Sequence, residues 1–425
     1  MSGGRWGWLV AIAIAACGDP PVASKPAPVV AEPEVVTPEP VPPVLEAAAA
    51  VDAIALGKTL VTRHECIRCH AIEGVDKPKL EYDCVGCHRD IEAGTFPVPP
   101  EELAGYQERV HSLVDVPLLA PGGRLRRSWI AAFLADAHDL RPNLEPTMPR
   151  FALAPADVAA IAAFLAPDAE AAAPVLGDPA RGREIADAKG CGTCHRMAGG
   201  PPLSAAGLPI AIDPVTLALG QMLAPDLSHA RKRLRSAAVV QWLTDPAKVM
   251  PGATMPKIPM TAQEILDVAA FVVQTPLGIV AAEPVHARLA VLDREVTYAE
   301  VDTRIFHKTC RHCHSDPEQV IGDGGPGYSG GFGFPKRALD LNSHEGIRSG
   351  SLDDGGKRHS LFEAMQDGTP RIVAHLLARQ SEVVGTPIVG VRGMPLGLPA
   401  LPPEDIQLLE TWIAQGRKPG TKAEP

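Results

Sequence analysis

Four times in this 425-residue chain, two cysteines stand three apart with a histidine directly after the second. The motifs are Cys66-Ile-Arg-Cys69-His70, Cys84-Val-Gly-Cys87-His88, Cys191-Gly-Thr-Cys194-His195 and Cys310-Arg-His-Cys313-His314. They use eight of the nine cysteines. Two thiols at this spacing suit the two vinyl groups on one edge of a haem, and the next residue then points beneath the ring, where an imidazole nitrogen can bind iron. A zinc site needs the cysteine pairs but not a histidine after each one. A thiol-redox pair expects a single motif near a βαβ pattern. The motifs therefore read as attachment sites for four covalent c-type haems, with His70, His88, His195 and His314 as iron ligands.

The ninth cysteine, Cys17, closes the N-terminal stretch MSGGRWGWLVAIAIAACGD. Arg5 is a short basic region, and the apolar run from Trp6 to Ala16 is too short to span a bilayer as a mature helix. The ending Ile14-Ala15-Ala16-Cys17-Gly18 resembles a bacterial lipoprotein signal, with Ile where the usual Leu stands. That resemblance implies cleavage after residue 16, a lipidated Cys17 and a place on the periplasmic side of a membrane. Gly18 after the cysteine favours the outer one. Residues 17–49 are rich in Pro, Ala, Val and Glu, a composition that cannot bury a core. As extended chain they reach on the order of 90 Å at about 3 Å per residue. The formal net charge of -10 argues against a nucleic-acid partner.

Beyond the tether a pattern repeats. Gly57 stands nine residues before Cys66, and Gly182 nine before Cys191. Downstream, Thr-Met-Pro recurs at Met148 and Met255, each followed sixteen residues later by a phenylalanine, Phe164 and Phe271. Both intervals hold a closing helix. Val158, Ile161 and Leu165 keep helical spacing in the first. In the second, Thr261 and Glu264 form a capping box before Ile265, Val268 and Val272. The third copy is looser: Cys310 to His314, a Gly-rich loop, then Gly393-Met394-Pro395 and a last amphipathic helix, without the upstream glycine. Strand signals are weak throughout.

With these motifs in view, the chain resembles multihaem c-type cytochromes built from cytochrome c-like domains. The resemblance covers roughly residues 50–417 and is strongest around 176–277. It implies a mainly α fold of three helical domains in tandem after the tether: a dihaem domain at 50–167, then monohaem domains at 176–277 and 290–417. In that family the methionine of the Met-Pro segment is the sixth iron ligand, which points to Met148, Met255 and Met394. Four haems against three such segments leave one iron short. His64, His111 and His138 remain in the first domain. His111 is expected to serve the Cys84/Cys87 haem, with Met148 as the alternative there. His138 reads as part of a solvated helix face, and His312, inside its C-x-x-C turn, as exposed. Methionine ligation raises a haem's potential, so a bis-histidine iron is expected to sit lower. Basic clusters at Arg124, Arg126, Arg127 and at Arg231, Lys232, Arg233, Arg235 read as solvated faces or as partners for haem propionates, with no residue singled out.

The function expected on these grounds is electron transfer by a membrane-tethered carrier in a bacterial respiratory chain, with other redox proteins as partners. A peroxidase or small-oxyanion reductase with one open haem is the alternative. No acid–base constellation stands beside any motif.

Overall fold

The computed structural model describes residues 43–419, apart from 80–82, most of 109–122, 139, 145–147, 168–175, 281–283 and 320–324. The chain divides into two units, Met1–Glu46 and Ala47–Pro425. The cores and the four cysteine motifs belong to the second. Cys17 and His111 lie outside the described residues.

The chain is mainly helical. In order come α1 (Pro43–Arg63), α2 (Cys84–Glu92), α3 (Pro100–Gln107), α4 (Arg127–Ala135), α5 (Pro155–Leu165), α6 (Pro179–Ala188), α7 (Pro214–Leu223), α8 (Ala230–Arg233), α9 (Ser236–Thr244) and α10 (Pro246–Val249). Next are α11 (Ala262–Gln274), α12 (Tyr298–Val301), α13 (His344–Ser349), α14 (Arg371–Val383) and α15 (Pro403–Ala414). Among the described residues the one β-ladder pairs Ser351–Leu352 with Arg358–His359, antiparallel.

Helix α1 begins at Pro43 and so enters the segment read from sequence as tether. The run Leu45-Glu-Ala-Ala-Ala-Ala after it is made of strong helix formers, and proline is well suited to a first helical turn.

Apolar side chains gather into three cores, each drawn from one stretch of sequence. The first joins Leu60, Val61 and Ile72 to Ile130, Ile161 and Phe164. The second packs Ala186 and Met197 against Val239, Leu243, Val268 and Phe271. The third surrounds Trp412 with Val301, Ile305, Phe306, Ile347 and Leu409. The expected closing-helix residues Val158, Ile161, Leu165, Ile265, Val268 and Val272 are all buried.

The matched glycines have a packing reason. A Cβ on Gly57 would overlap the Ala160 carbonyl oxygen and crowd Phe164. A Cβ on Gly182 would overlap the Asp267 carbonyl oxygen and crowd Phe271. In both places a helix before the C-x-x-C-H turn crosses the closing helix with backbone nearly touching backbone. The entry to α6 is fixed by Asp178, whose Oδ1 accepts from Ala180 N at 2.9 Å and Arg181 N at 3.2 Å. The capping box expected at Thr261 and Glu264 is formed: Thr261 N donates to Glu264 Oε2 at 2.6 Å, and Glu264 N to Thr261 Oγ1 at 3.2 Å. The last segment has no such glycine. There α12 continues as π-helical turns, Asp302–Cys310, straight into the fourth motif.

Candidate haem-binding sites

Three motifs adopt one local shape. Cys66 and Cys191 open 3-10 turns entered from left-handed residues, Glu65 at φ 53° and Gly190 at φ 69°. The backbone N–H of the histidine then donates to the first cysteine's carbonyl: His70 to Cys66 at 2.9 Å, His195 to Cys191 at 3.0 Å, His314 to Cys310 at 3.0 Å. The Cys84 motif differs, since it forms the first turns of α2, capped by Asp83, whose Oδ1 accepts from Gly86 N at 2.9 Å.

Most of the thiols are embedded rather than activated. Burial pushes Cys66, Cys87, Cys191 and Cys313 up to about 11 and Cys310 to about 12, and it raises Cys194 as well. Cys69 shares a proton with Cys84, an interaction that raises Cys69 and lowers Cys84. Redox-active thiols show the opposite tendency, with depressed pKa values in electropositive, exposed settings. Among the described residues no three His, Cys, Asp or Glu side chains converge as a metal-ion site.

Cys66, Cys69 and His70 line an apolar cavity whose wall also holds Met148, Trp129, Phe133 and Phe151. His138 reaches the same cavity. It is exposed, as expected, but it lies past the C-terminal end of α4 rather than on the helix, and its Nδ1 is 2.9 Å from the Asp136 carbonyl oxygen. The α4 pattern ends at Asp136, where the backbone turns extended.

In the middle segment, Cys191 and Met255 pack against the same core. His195 Nδ1 sits 2.9 Å from the Pro225 carbonyl oxygen. Donation there makes Nε2 the free lone pair, the tautomer an iron ligand needs. The Pro225 loop is held by Asp226, nearly inaccessible at 3% exposure. Its Oδ1 accepts from Ala198 N at 3.0 Å and Ser228 N at 2.9 Å, and its Oδ2 from Arg196 Nε at 2.8 Å. Burial alone works to raise the Asp226 carboxyl, but these donors hold it below the usual carboxylate range. Trp242 Nε1 donates to Met255 Sδ at 2.9 Å.

In the last segment, Cys310 and Met394 also pack against one core. His314 is pushed down to about 4 by burial and lies so close to Gly327 that a Cβ there would overlap its ring. The Met394 segment is braced by Glu382, whose Oε1 accepts from Gly393 N at 2.7 Å, while Arg379 Nη1 donates to Glu382 Oε2 at 3.3 Å. Sequence reasoning passed over His375 on α14. It faces the same site: its charge and that of His314 repel, and its Nδ1 sits 2.6 Å from the Arg392 carbonyl oxygen. Nothing in its sequence context marks it, because nineteen residues separate it from Met394.

The sites of the first and last segments adjoin. The Gly-rich loop lays Phe332 into the first cavity, its backbone N–H donating to Glu65 Oε2 at 2.9 Å. Phe151 meets Phe332 edge-on at 5.7 Å, and Arg150 N donates to the Leu396 carbonyl at 3.2 Å, so the two Met-Pro loops touch. His64 Nδ1 lies 3.3 Å from the Phe332 carbonyl oxygen, and its buried Nε2 has no hydrogen-bond partner. Cys313 senses the charge of Cys84, and His312, exposed but crowded, senses that of His88.

Residues 179–276 match the family model Cytochrome c. Neither a curated protein nor a solved structure matches the chain. The matched span runs from the start of α6 to just past α11 and contains Cys191, Cys194, His195 and Met255. The chain therefore carries a cytochrome c domain there, the class of small helical proteins that hold haem c covalently and transfer electrons.

Proposed function

We propose that the whole chain is a tetrahaem c-type cytochrome: three cytochrome c-like modules at 50–167, 176–277 and 290–417, exported and tethered to a membrane through a lipidated Cys17. It passes electrons among its haems and on to another redox protein in a bacterial respiratory chain. The observation that carries this reading is the first cavity, where two thiols, an imidazole and the Met148 thioether line one apolar space outside the matched span.

Bound haem supplies a one-electron Fe(III)/Fe(II) couple. The chain does the rest. Each cysteine pair holds the ring edge, and His70, His88, His195 and His314 offer Nε2 to iron. Met148, Met255 and Met394 offer sulfur and favour higher potentials. The Pro225 carbonyl locks the His195 ring, and the cores exclude water from the ligands. The Cys84 haem takes a histidine, with His111 as the residue to test. The adjoining motifs of the first and third modules favour electron exchange between them.

A pyridine haemochrome assay of the mature protein tests the reading and should return four haems per chain. Mass spectrometry of its N-terminus should find a lipidated Cys17. A count of one would confine haem to residues 179–276. A high-spin haem that binds added ligands would turn the reading towards the enzyme alternative.

A further inference from the structure

The short sequence Arg-Leu-Arg occurs just before α4, as Arg124-Leu125-Arg126, and again just before α9, as Arg233-Leu234-Arg235. The two copies meet. Leu125 and Leu234 form an isolated antiparallel bridge. Arg126 N donates to the Arg233 carbonyl at 2.9 Å, and Arg235 N to the Arg124 carbonyl at 2.9 Å. Arg126 Nε adds a bond to the Leu234 carbonyl at 2.8 Å. The pairing is a local two-fold exchange, and it sends each leading arginine into the other segment.

Arg233, from the middle segment, has its guanidinium carbon 5.4 Å from the ring centre of Trp129 on α4. It lines the cavity of Cys66, Cys69, His70 and Met148. Arg124 goes the other way, 5.2 Å from the ring centre of Trp242, the residue that donates to Met255 Sδ. Arg233 is only 9% exposed, and its buried Nε has no hydrogen-bond partner. Among the described residues neither Arg124 nor Arg233 has a carboxylate within ion-pairing distance. Burial and repulsion from Arg141 and Arg124 lower Arg233 to about 9. Stacking on Trp129 answers part of the cost of burying this cation. A buried charge of this kind otherwise requires an anion.

The geometry points to an exchange of counter-cations: Arg233 of the second module binds a propionate carboxylate of the Cys66/Cys69 haem of the first module, and Arg124 of the first module serves the haem of the second. This rests on the tetrahaem reading. The planar guanidinium suits a carboxylate in two-pronged fashion, and haem c brings two carboxylates that the apolar cavity wall cannot satisfy by itself. A cation beside the ring favours the reduced iron, so the arginine raises the potential of a haem its own module does not hold.

The test is a spectroscopic redox titration of the full-length holoprotein. M148H and M255H first mark two couples by the drop each causes, that of the Cys66/Cys69 haem (the first-module couple below) and that of the second module's haem. R233L should then lower the first-module couple by about 59 mV, a tenfold change in the oxidised-to-reduced ratio for one electron, and leave the second-module couple in place. R124L should do the reverse, and R233K should keep most of the wild-type value. R233L lowering the second-module couple, or moving neither, overturns the exchange. If R233L holds less haem than wild type, R233Q and R233K replace it in the same comparison. Fewer than four haems in the wild-type protein overturns the tetrahaem reading instead.

Discussion

Trp242 is the most direct place to ask how the chain sets a potential. Its Nε1 donates to Met255 Sδ at 2.9 Å. A thioether sulfur has two lone pairs, so it can bind iron with one and accept this N–H with the other. The donor draws electron density from sulfur and makes it a poorer ligand to Fe(III) than to Fe(II), which raises the potential. In W242F a smaller aromatic ring replaces the indole that lies 5.2 Å from Arg124 in the native protein, and the N–H donor is lost. A net hydrogen bond contributes about 0.5–1.5 kcal/mol. If that whole difference falls between the two oxidation states, at about 1.4 kcal/mol and 59 mV per tenfold for one electron, the second-module couple drops by roughly 20–60 mV. The measurement is a redox titration of W242F beside wild type, with the sulfur-to-iron charge-transfer band followed to verify ligation. A potential that stays put or rises while the band persists would refute the reasoning.

Three other substitutions have defined outcomes. G182A forces a Cβ onto the Asp267 carbonyl oxygen and Phe271, so denaturant unfolding should show a loss of about 1–3 kcal/mol, as overpacking typically costs. D226N removes a carboxylate held below its usual range in the folded state by hydrogen bonds that outweigh its burial. Such a group stabilises above its unfolded pKa of about 3.9, and the contribution fades as pH falls through the lower folded value. The mutant should therefore be less stable by about 1–3 kcal/mol at pH 7, with the gap to wild type closing below roughly pH 4 in thermal melts. For the haem proposed at Cys310 and Cys313, M394A should lower its couple by at least about 59 mV while H375A leaves it near wild type. The reverse result in the titration would hand the sixth position to His375.

How much was readable beforehand depends on how local each feature is. The closing helices at Val158–Leu165 and Ile265–Val272 and the Thr261 capping box rest on short-range spacing along one helix. The crossings of Gly57 on Phe164 and Gly182 on Phe271 join helices far apart in the chain and appear only in the structure. His138 was misplaced by one element because the α4 pattern gives no sign of its end at Asp136. Trp242 carried no signal in the sequence, since its bond to Met255 depends on the loop that returns Met255 to α9. His375 had no signal at all.

The sequence by itself determined the motifs on which the proposed attachment chemistry rests. Two thiols and an imidazole must be adjacent in the chain to meet one ring edge and the iron beneath it, and that adjacency is local. Only the tertiary structure decided which stretch serves which site. The Arg124 and Arg233 copies are alike in sequence, and nothing near either says that its side chain crosses to the other segment. That crossing comes from one antiparallel bridge, Leu125 to Leu234, formed between residues more than a hundred positions apart. Backbone pairing at such separation joins residues that share no local stretch of chain, so no local pattern encodes it.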